Sequence, residues 1–170
     1  MSNLDRHINN IKKFGIEPIV AINHFVLDTK KEIQTIINFC KNLNVEVSNC
    51  KHWAEGGSGT VDLAKKVVRV CNNFKKQKFK FLYNDSKSLL EKIEIIAKEI
   101  YRADKITVTQ EIKQKLKTFE NNGFKSFPVC VAKTQYSFST DPKLKGAPSN
   151  HEIPIRDVRL SSGAEFIVVI

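Results

Sequence analysis

Leu4, Ile8, Ile11 and Phe14 recur three and four residues apart, so the chain is predicted to open on an amphipathic helix closed by Gly15. The run at 18–22, Pro-Ile-Val-Ala-Ile, has no polar break, which is the pattern of a strand covered on both faces. Thr29 with Glu32 makes a capping box ahead of Ile33, Ile36, Ile37, Cys40 and Leu43, a second helical stripe. Val45-Glu46-Val47 then reads as a short strand, giving strand, helix, strand with a right-handed crossover expected. Val61, Ala64, Val67 and Cys71 predict a further helix.

Residues 79–83 are expected to be briefly extended. Ser88 with Glu91 repeats the capping box before the stripe Leu89, Ile93, Ala97 and Ile100. A short strand at 106–108 precedes a helix capped by Thr109, carrying Ile112, Leu116 and Phe119 and stopped by Gly123. Residues 128–132 repeat the buried-strand pattern. Asp141-Pro142 and Gly146-Ala147-Pro148 mark turns. Ile153, Ile155, Val158 and Leu160 alternate with polar residues, and Pro154 argues for an edge. Residues 166–170 form an apolar strand that simply stops, which reads as a piece of something longer. The expected fold is α/β: one domain over 1–170, a mostly parallel sheet flanked by helices, and an extended, partly antiparallel C-terminal segment.

One stretch stands out on this frame. Trp53-Ala54-Glu55-Gly56-Gly57-Ser58-Gly59 follows a strand, precedes a helix, and holds the only tryptophan. Ligands of open α/β sheets bind outside the strands' carboxyl ends, where this loop and the 23–28 loop with Phe25 are expected side by side. Two aromatics on neighbouring loops can hold a flat heterocycle between them. The loop matches neither the GxGxxG fingerprint nor the GxxxxGK[ST] phosphate loop, so taken alone it reads more readily as a tight turn with its indole packed as a lid than as a ligand site. Lys133, directly after a strand, is expected at the same rim as an anion contact. His24 and His52 are lone loop imidazoles, more readily bystanders than bases. Glu55 reads as an anion favourable to a helix N-terminus. No catalytic residue and no metal ligand set is assigned.

Composition narrows the classes. At 170 residues the chain can bury a real core. No apolar run approaches membrane-spanning length and no signal peptide opens the chain, so a cytoplasmic protein is expected, without a membrane partner. Cys40, Cys50, Cys71 and Cys130 are scattered without CxxC spacing and read as reduced thiols, with Cys40, Cys71 and Cys130 buried by pattern. A net charge of +10 raises nucleic acid as a partner. The lysines are dispersed, however; the densest run is Lys75-Lys76-Gln77-Lys78 with Lys80, and no RNP-like aromatic pair or zinc knuckle is present. A basic surface suited to polyanionic small ligands is expected, and no nucleic acid.

Five sets of segments belong together: Ile11-Lys12-Lys13-Phe14-Gly15 running into Val20-Ala21-Ile22-Asn23-His24-Phe25, then Asp28-Thr29; His52-Trp53-Ala54-Glu55-Gly56-Gly57-Ser58-Gly59; Ile96-Ala97-Lys98-Glu99-Ile100-Tyr101; Lys133-Thr134-Gln135-Tyr136-Ser137-Phe138-Ser139 behind its strand; and Val158-Arg159-Leu160-Ser161 with Gly163-Ala164. In composition, order and approximate spacing they resemble formate–tetrahydrofolate ligase. The resemblance implies the C-terminal domain of a P-loop-NTPase-like enzyme that joins formate to tetrahydrofolate with Mg-ATP through formyl phosphate. The N-terminal phosphate-loop domain is expected to be absent here. It further implies a pterin clamp at Phe25 and Trp53, with Gly56, Gly57 and Gly59 offering backbone to the ligand. A homo-oligomer, or an N-terminal partner chain, would complete the enzyme, and the fragment alone is expected to be inactive. The alternative reading is a split or truncated binding module without catalysis. Two departures are visible: Val26 stands where relatives often carry proline, and Glu165 where they usually carry glycine.

Overall fold

The computed structural model describes residues 1–73 and 79–170, so most of the basic run at 75–80 lies outside the described residues. The chain forms two compact units, Asn3–Lys80 with Met1 and Phe81–Ile170 with Ser2. In place of one sheet there are, among the described residues, three small ones, mostly parallel in pairing. The class is α/β.

The first unit runs α1 (Ser2–Lys13), β1 (Ile19–Asn23), α2 (Lys30–Asn42), β2 (Glu46–Cys50), α3 (His52–Glu55), a 3-10 turn (Gly56–Thr60) and α4 (Val61–Asn73). Gly15 ends the first helix with φ 73°, as a C-terminal glycine should. The capping box of α2 is formed, Thr29 N–H donating to Glu32 Oε2 at 2.9 Å and Glu32 N–H to Thr29 Oγ1 at 3.2 Å. β1 and β2 pair in parallel, from Ile19 opposite Glu46 to Asn23 opposite Cys50. The core under them is small: Ile8, Cys40 and Val45, with Leu4, Val20 and Ile36 against it.

Two expectations fail here. β1 is not covered on both faces: Ala21 is exposed, while Ile19 and Val20 are half-buried. No residue of α4 is buried, Val61, Val67 and Val68 are exposed, and so is Cys71. Helical spacing fixes which residues share a face but not whether anything covers that face. Polar links hold α4 to β2 instead. Lys66 Nζ donates to Val47 O at 2.7 Å, Ser48 Oγ donates to Asp62 Oδ2 at 2.7 Å, and Arg69 pairs with Glu46. The bonds from Lys66 and Ser48 hold the Asp62 carboxyl below its usual range.

The second unit contains α5 (Leu89–Glu99), β3 (Lys105–Thr107), α6 (Gln110–Phe119), β4 (Val129–Val131), β5 (Glu152–Pro154), β6 (Val158–Ser161) and β7 (Phe166–Val169). Residues 79–83 form no strand. Gly123, with φ 91°, ends the helical run after α6. β3 pairs with β5 and β4 with β7 in parallel, while β6 and β7 are antiparallel, which is the antiparallel closing segment that the alternation predicted. Pro154 sits in a two-stranded sheet, where each strand is an edge. Leu89, Ile93, Ile112, Leu116, Val158 and Ile167 build the core. Cys130 is exposed, against expectation, because one side of β4 is left open.

Lys92 is fully buried within this unit. Its Nζ donates to Lys125 O at 2.8 Å and Phe127 O at 3.0 Å, and lies 5.7 Å from the centre of the Tyr83 ring. Desolvation pushes its pKa down, partly opposed by Asp85 and Glu120. The ammonium ties the turn feeding β4 to α5.

Candidate functional site

Parallel pairing sends the chain out of β1 and β2 at the same end of the first sheet. His24 N–H donates to Cys50 O at 3.0 Å, carrying the ladder one residue past Asn23. The chain then turns: Asp28 N–H donates to Phe25 O at 3.0 Å, and Phe25 N–H to Asp28 Oδ2 at 2.8 Å. That reciprocal pair fixes where the Phe25 side chain leaves the backbone.

The second loop is braced from within. Ala54 and Glu55 N–H both donate to Lys51 O, at 3.0 and 2.9 Å, and Lys51 N–H donates to Gly59 O at 3.1 Å. A Cβ on Gly59 would lie 2.6 Å from the Lys51 carbonyl carbon and 2.9 Å from His52 N, so close backbone packing inside the loop requires glycine there. Gly56 takes φ 59°, ψ −142°, a region only glycine enters freely. Gly57 faces open space. Glu55 stands 4.0 Å from Lys51 Nζ.

These two loops bring Phe25 and Trp53 together. Their ring centres are 6.0 Å apart with planes inclined at 32°. Both stay open to solvent, Phe25 at 50% and Trp53 at 69% of their surface. His52 joins them, its ring centre 5.8 Å from the indole. Val26 and Leu27 are almost wholly exposed beside Phe25. Aromatic and aliphatic side chains are therefore held out into water on a braced rim, the reverse of their usual placement.

The spacing has a chemical consequence. A planar ring held between two others needs about 3.5 Å on each side, about 7 Å in all. With the centres 6.0 Å apart there is less than that between them, so a ligand stacked on both faces would enter by parting the rings. The pair is suited to gripping a flat, polar heterocycle by its faces. No group of three or more His, Cys, Asp or Glu among the described residues is placed to hold a metal ion.

Lys133 belongs to the second unit, in the segment after β4. The bracing role of Asp28 has a sequence signal of its own, an aspartate three residues past Phe25 in a loop, where an Asx-type turn forms. Lys92 carries a similar signal, falling three residues after Leu89 on the apolar stripe of α5. No helix among the described residues is long and apolar enough to cross a membrane.

Comparison with known proteins bears on the same residues. The family model described as formate–tetrahydrofolate ligase matches residues 1–170. The chain is 55% identical over 168 residues to the formate–tetrahydrofolate ligase of Pelagibacter ubique (strain HTCC1062), covering 99% of this chain. It is 51% identical over 169 residues to that of Rhizobium meliloti (strain 1021), and 50% over 169 residues to that of Ruegeria pomeroyi, again across 99% of this chain. The chain spans about 30% of the length of these curated relatives.

Proposed function

The chain belongs to the formate–tetrahydrofolate ligase family, and from that premise we propose that it supplies the folate-binding part of an ATP-dependent carbon–nitrogen ligase. The reaction read for the whole protein is formylation of tetrahydrofolate to 10-formyltetrahydrofolate through formyl phosphate, at the expense of ATP. In this reading the chain is the C-terminal portion, and a P-loop-NTPase-like domain elsewhere in the protein holds ATP and magnesium. No GxxxxGK[ST] segment occurs among these 170 residues, so no step of phosphoryl transfer is derived from them. The complete enzyme is read as a cytoplasmic homo-oligomer.

The role assigned to this chain is to bind and orient the pterin. Phe25 and Trp53 grip its faces, stacking being worth about 0.5–1.5 kcal/mol beyond area burial. The loop carrying Gly56, Gly57 and Gly59 borders that slot and offers backbone amides to the heterocycle's edge. Lys133 is read as a contact for an anionic group. The observation that carries the proposal is the ring pair itself: two half-exposed aromatics, 6.0 Å apart, on loops leaving adjacent parallel strands.

The test is titration of the 170-residue chain with tetrahydrofolate, read by calorimetry and by the emission of its single tryptophan. Saturable heat with a matching change in emission is expected. A silent titration of well-folded chain would overturn the assignment.

A further inference from the structure

The segment after β4 holds its shape through its own hydrogen bonds. Thr134 Oγ1 donates to Ser139 O at 2.6 Å and accepts from Tyr136 N–H at 3.0 Å. Ser139 Oγ donates to Asp141 O at 2.9 Å, and the Phe138 carbonyl oxygen lies 2.6 Å from His151 Nε2. Phe138, Ser139 and His151 are buried, and Ser137 is held at φ 66°. With its inner residues anchored this way, the segment fixes the backbone from which its outer side chains leave.

Those outer side chains border an open cavity of about 270 Å³. Lys133, Gln135, Tyr136 and Thr140 line one part, and Pro154 and Arg156 another. No aspartate or glutamate lines it. Among the described residues, neither Lys133 nor Arg156 has a side-chain carboxylate within ion-pair distance. The nearest acid in sequence, Asp157, is already engaged by Lys115 at 2.8 Å, Arg159 at 3.1 Å and the Val158 N–H at 2.8 Å. Two like charges therefore share one hollow without a counter-charge, an arrangement that a bound anion relieves. Hydroxyl donors are available as well. Tyr136 Oη accepts from Gln135 Nε2 at 3.1 Å, which leaves its own O–H to donate, and Thr140 presents a second hydroxyl.

The geometry points to an oxyanion subsite in which Lys133 and Arg156 together hold a doubly charged group, a phosphate or the two carboxylates of a glutarate-like dicarboxylate. The planar guanidinium of Arg156 matches two oxygens at once, and Lys133 adds a point charge. An apolar slot of about 70 Å³, reaching Tyr101, Val131 and Phe138, adjoins the cavity and shares Lys133, Thr140 and Arg156 with it, giving room for methylenes beside the charged group. The inference extends the anion contact read for Lys133 and is independent of the Phe25–Trp53 pair.

It is tested by titrating the 170-residue chain with inorganic phosphate and, separately, with glutarate, each against chloride at equal ionic strength. Amide shifts in ¹H–¹⁵N spectra give the readout. Saturable shifts at Lys133, Thr140 and Arg156 are expected with one or both anions and not with chloride. Saturation by phosphate alone assigns a phosphate-bearing ligand, by glutarate alone a dicarboxylate, and by both an oxyanion site open to either. Lys133→Gln and Arg156→Gln should each weaken binding roughly tenfold or more, whereas Lys133→Arg should retain most of it. Lys65→Gln, in the first unit, should change nothing. All three positions are solvent-facing, so thermal melting should be unaltered. Shifts that never saturate, that chloride reproduces, or that survive both charge removals would overturn the subsite. Tetrahydrofolate binding reported by Trp53 emission is read separately, so one proposal can fail while the other stands.

Discussion

Replacing Trp53 by alanine separates a ligand-gripping indole from a structural one. With 69% of its surface open, the side chain offers roughly 170 Å² to a ligand, taking about 250 Å² for a whole tryptophan. A heterocycle lying on one face covers about half, and at about 25 cal/mol per Å² that contributes ~2 kcal/mol. Stacking adds ~1 kcal/mol. Against this, the variant no longer has to part Phe25 from the indole, a contact worth up to ~1 kcal/mol. The net loss is ~2–3 kcal/mol, or roughly 30- to 150-fold in tetrahydrofolate affinity. Stability should move little, by about 1 kcal/mol at most, because the ring is not in a core. Anaerobic calorimetry with tetrahydrofolate and urea unfolding of the same samples give both numbers. Affinity within threefold of the parent, or a stability loss above ~2 kcal/mol, would refute the reasoning.

Gly59→Ala should destabilise the first unit by about 1–3 kcal/mol in urea unfolding, since its Cβ meets the Lys51 carbonyl carbon at 2.6 Å. Gly57→Ala, facing open space, should be neutral or slightly stabilising. Glu165 holds φ 58°, ψ 41° in the left-handed region, so Glu165→Gly should raise stability by up to about 1 kcal/mol, and a loss would show that the side chain makes a needed contact. Lys92→Met should cost ~2–4 kcal/mol, measured by denaturation, because two carbonyls lose a buried donor. Glu91 and Asp157 are both held at about 2, from ordinary values of 4.5 and 3.8, by bonds from Ser88 and from Lys115 respectively. The unfolded chain protonates first, so the stability they give is present above about pH 4.5 and drains as pH falls towards 2. Asp157→Asn should flatten that acid decline followed by circular dichroism; an unchanged slope would contradict the linkage.

The sequence made the ring pair legible because the two ingredients are local. Apolar runs ended at Ile22 and Val47, and a parallel crossover puts consecutive strand ends together. Capping boxes at Thr29 and Ser88 were equally plain, since a cap is written within four residues. What could not be read was coverage. Cys71 and Cys130 lie on apolar patterns yet face water, because periodicity reports a face and not its neighbour. Lys92 shows the opposite failure: a charge reads as surface until the carbonyls of Lys125 and Phe127, more than thirty residues away, come to meet it. Arg156 is hidden for a related reason, since nothing local shows that the connection between β5 and β6 lies beside the segment carrying Lys133. The left-handed backbone at Glu165 gives the physical reason a glycine suits that position, a conformation that the sequence alone does not display.

The step-for-step alignment of Ile19–Asn23 with Glu46–Cys50 carries an evolutionary corollary. Sliding one strand past the other by a single position would swing every side chain to the opposite surface and pull the two aromatics out of reach. Substitutions in either connector can therefore accumulate so long as each ring and the bracing Asp28, Gly56 and Gly59 survive, but an insertion or deletion within the paired segments cannot. Lineages of this chain should vary in what the rim is made of and hold constant the count of residues that leads up to it.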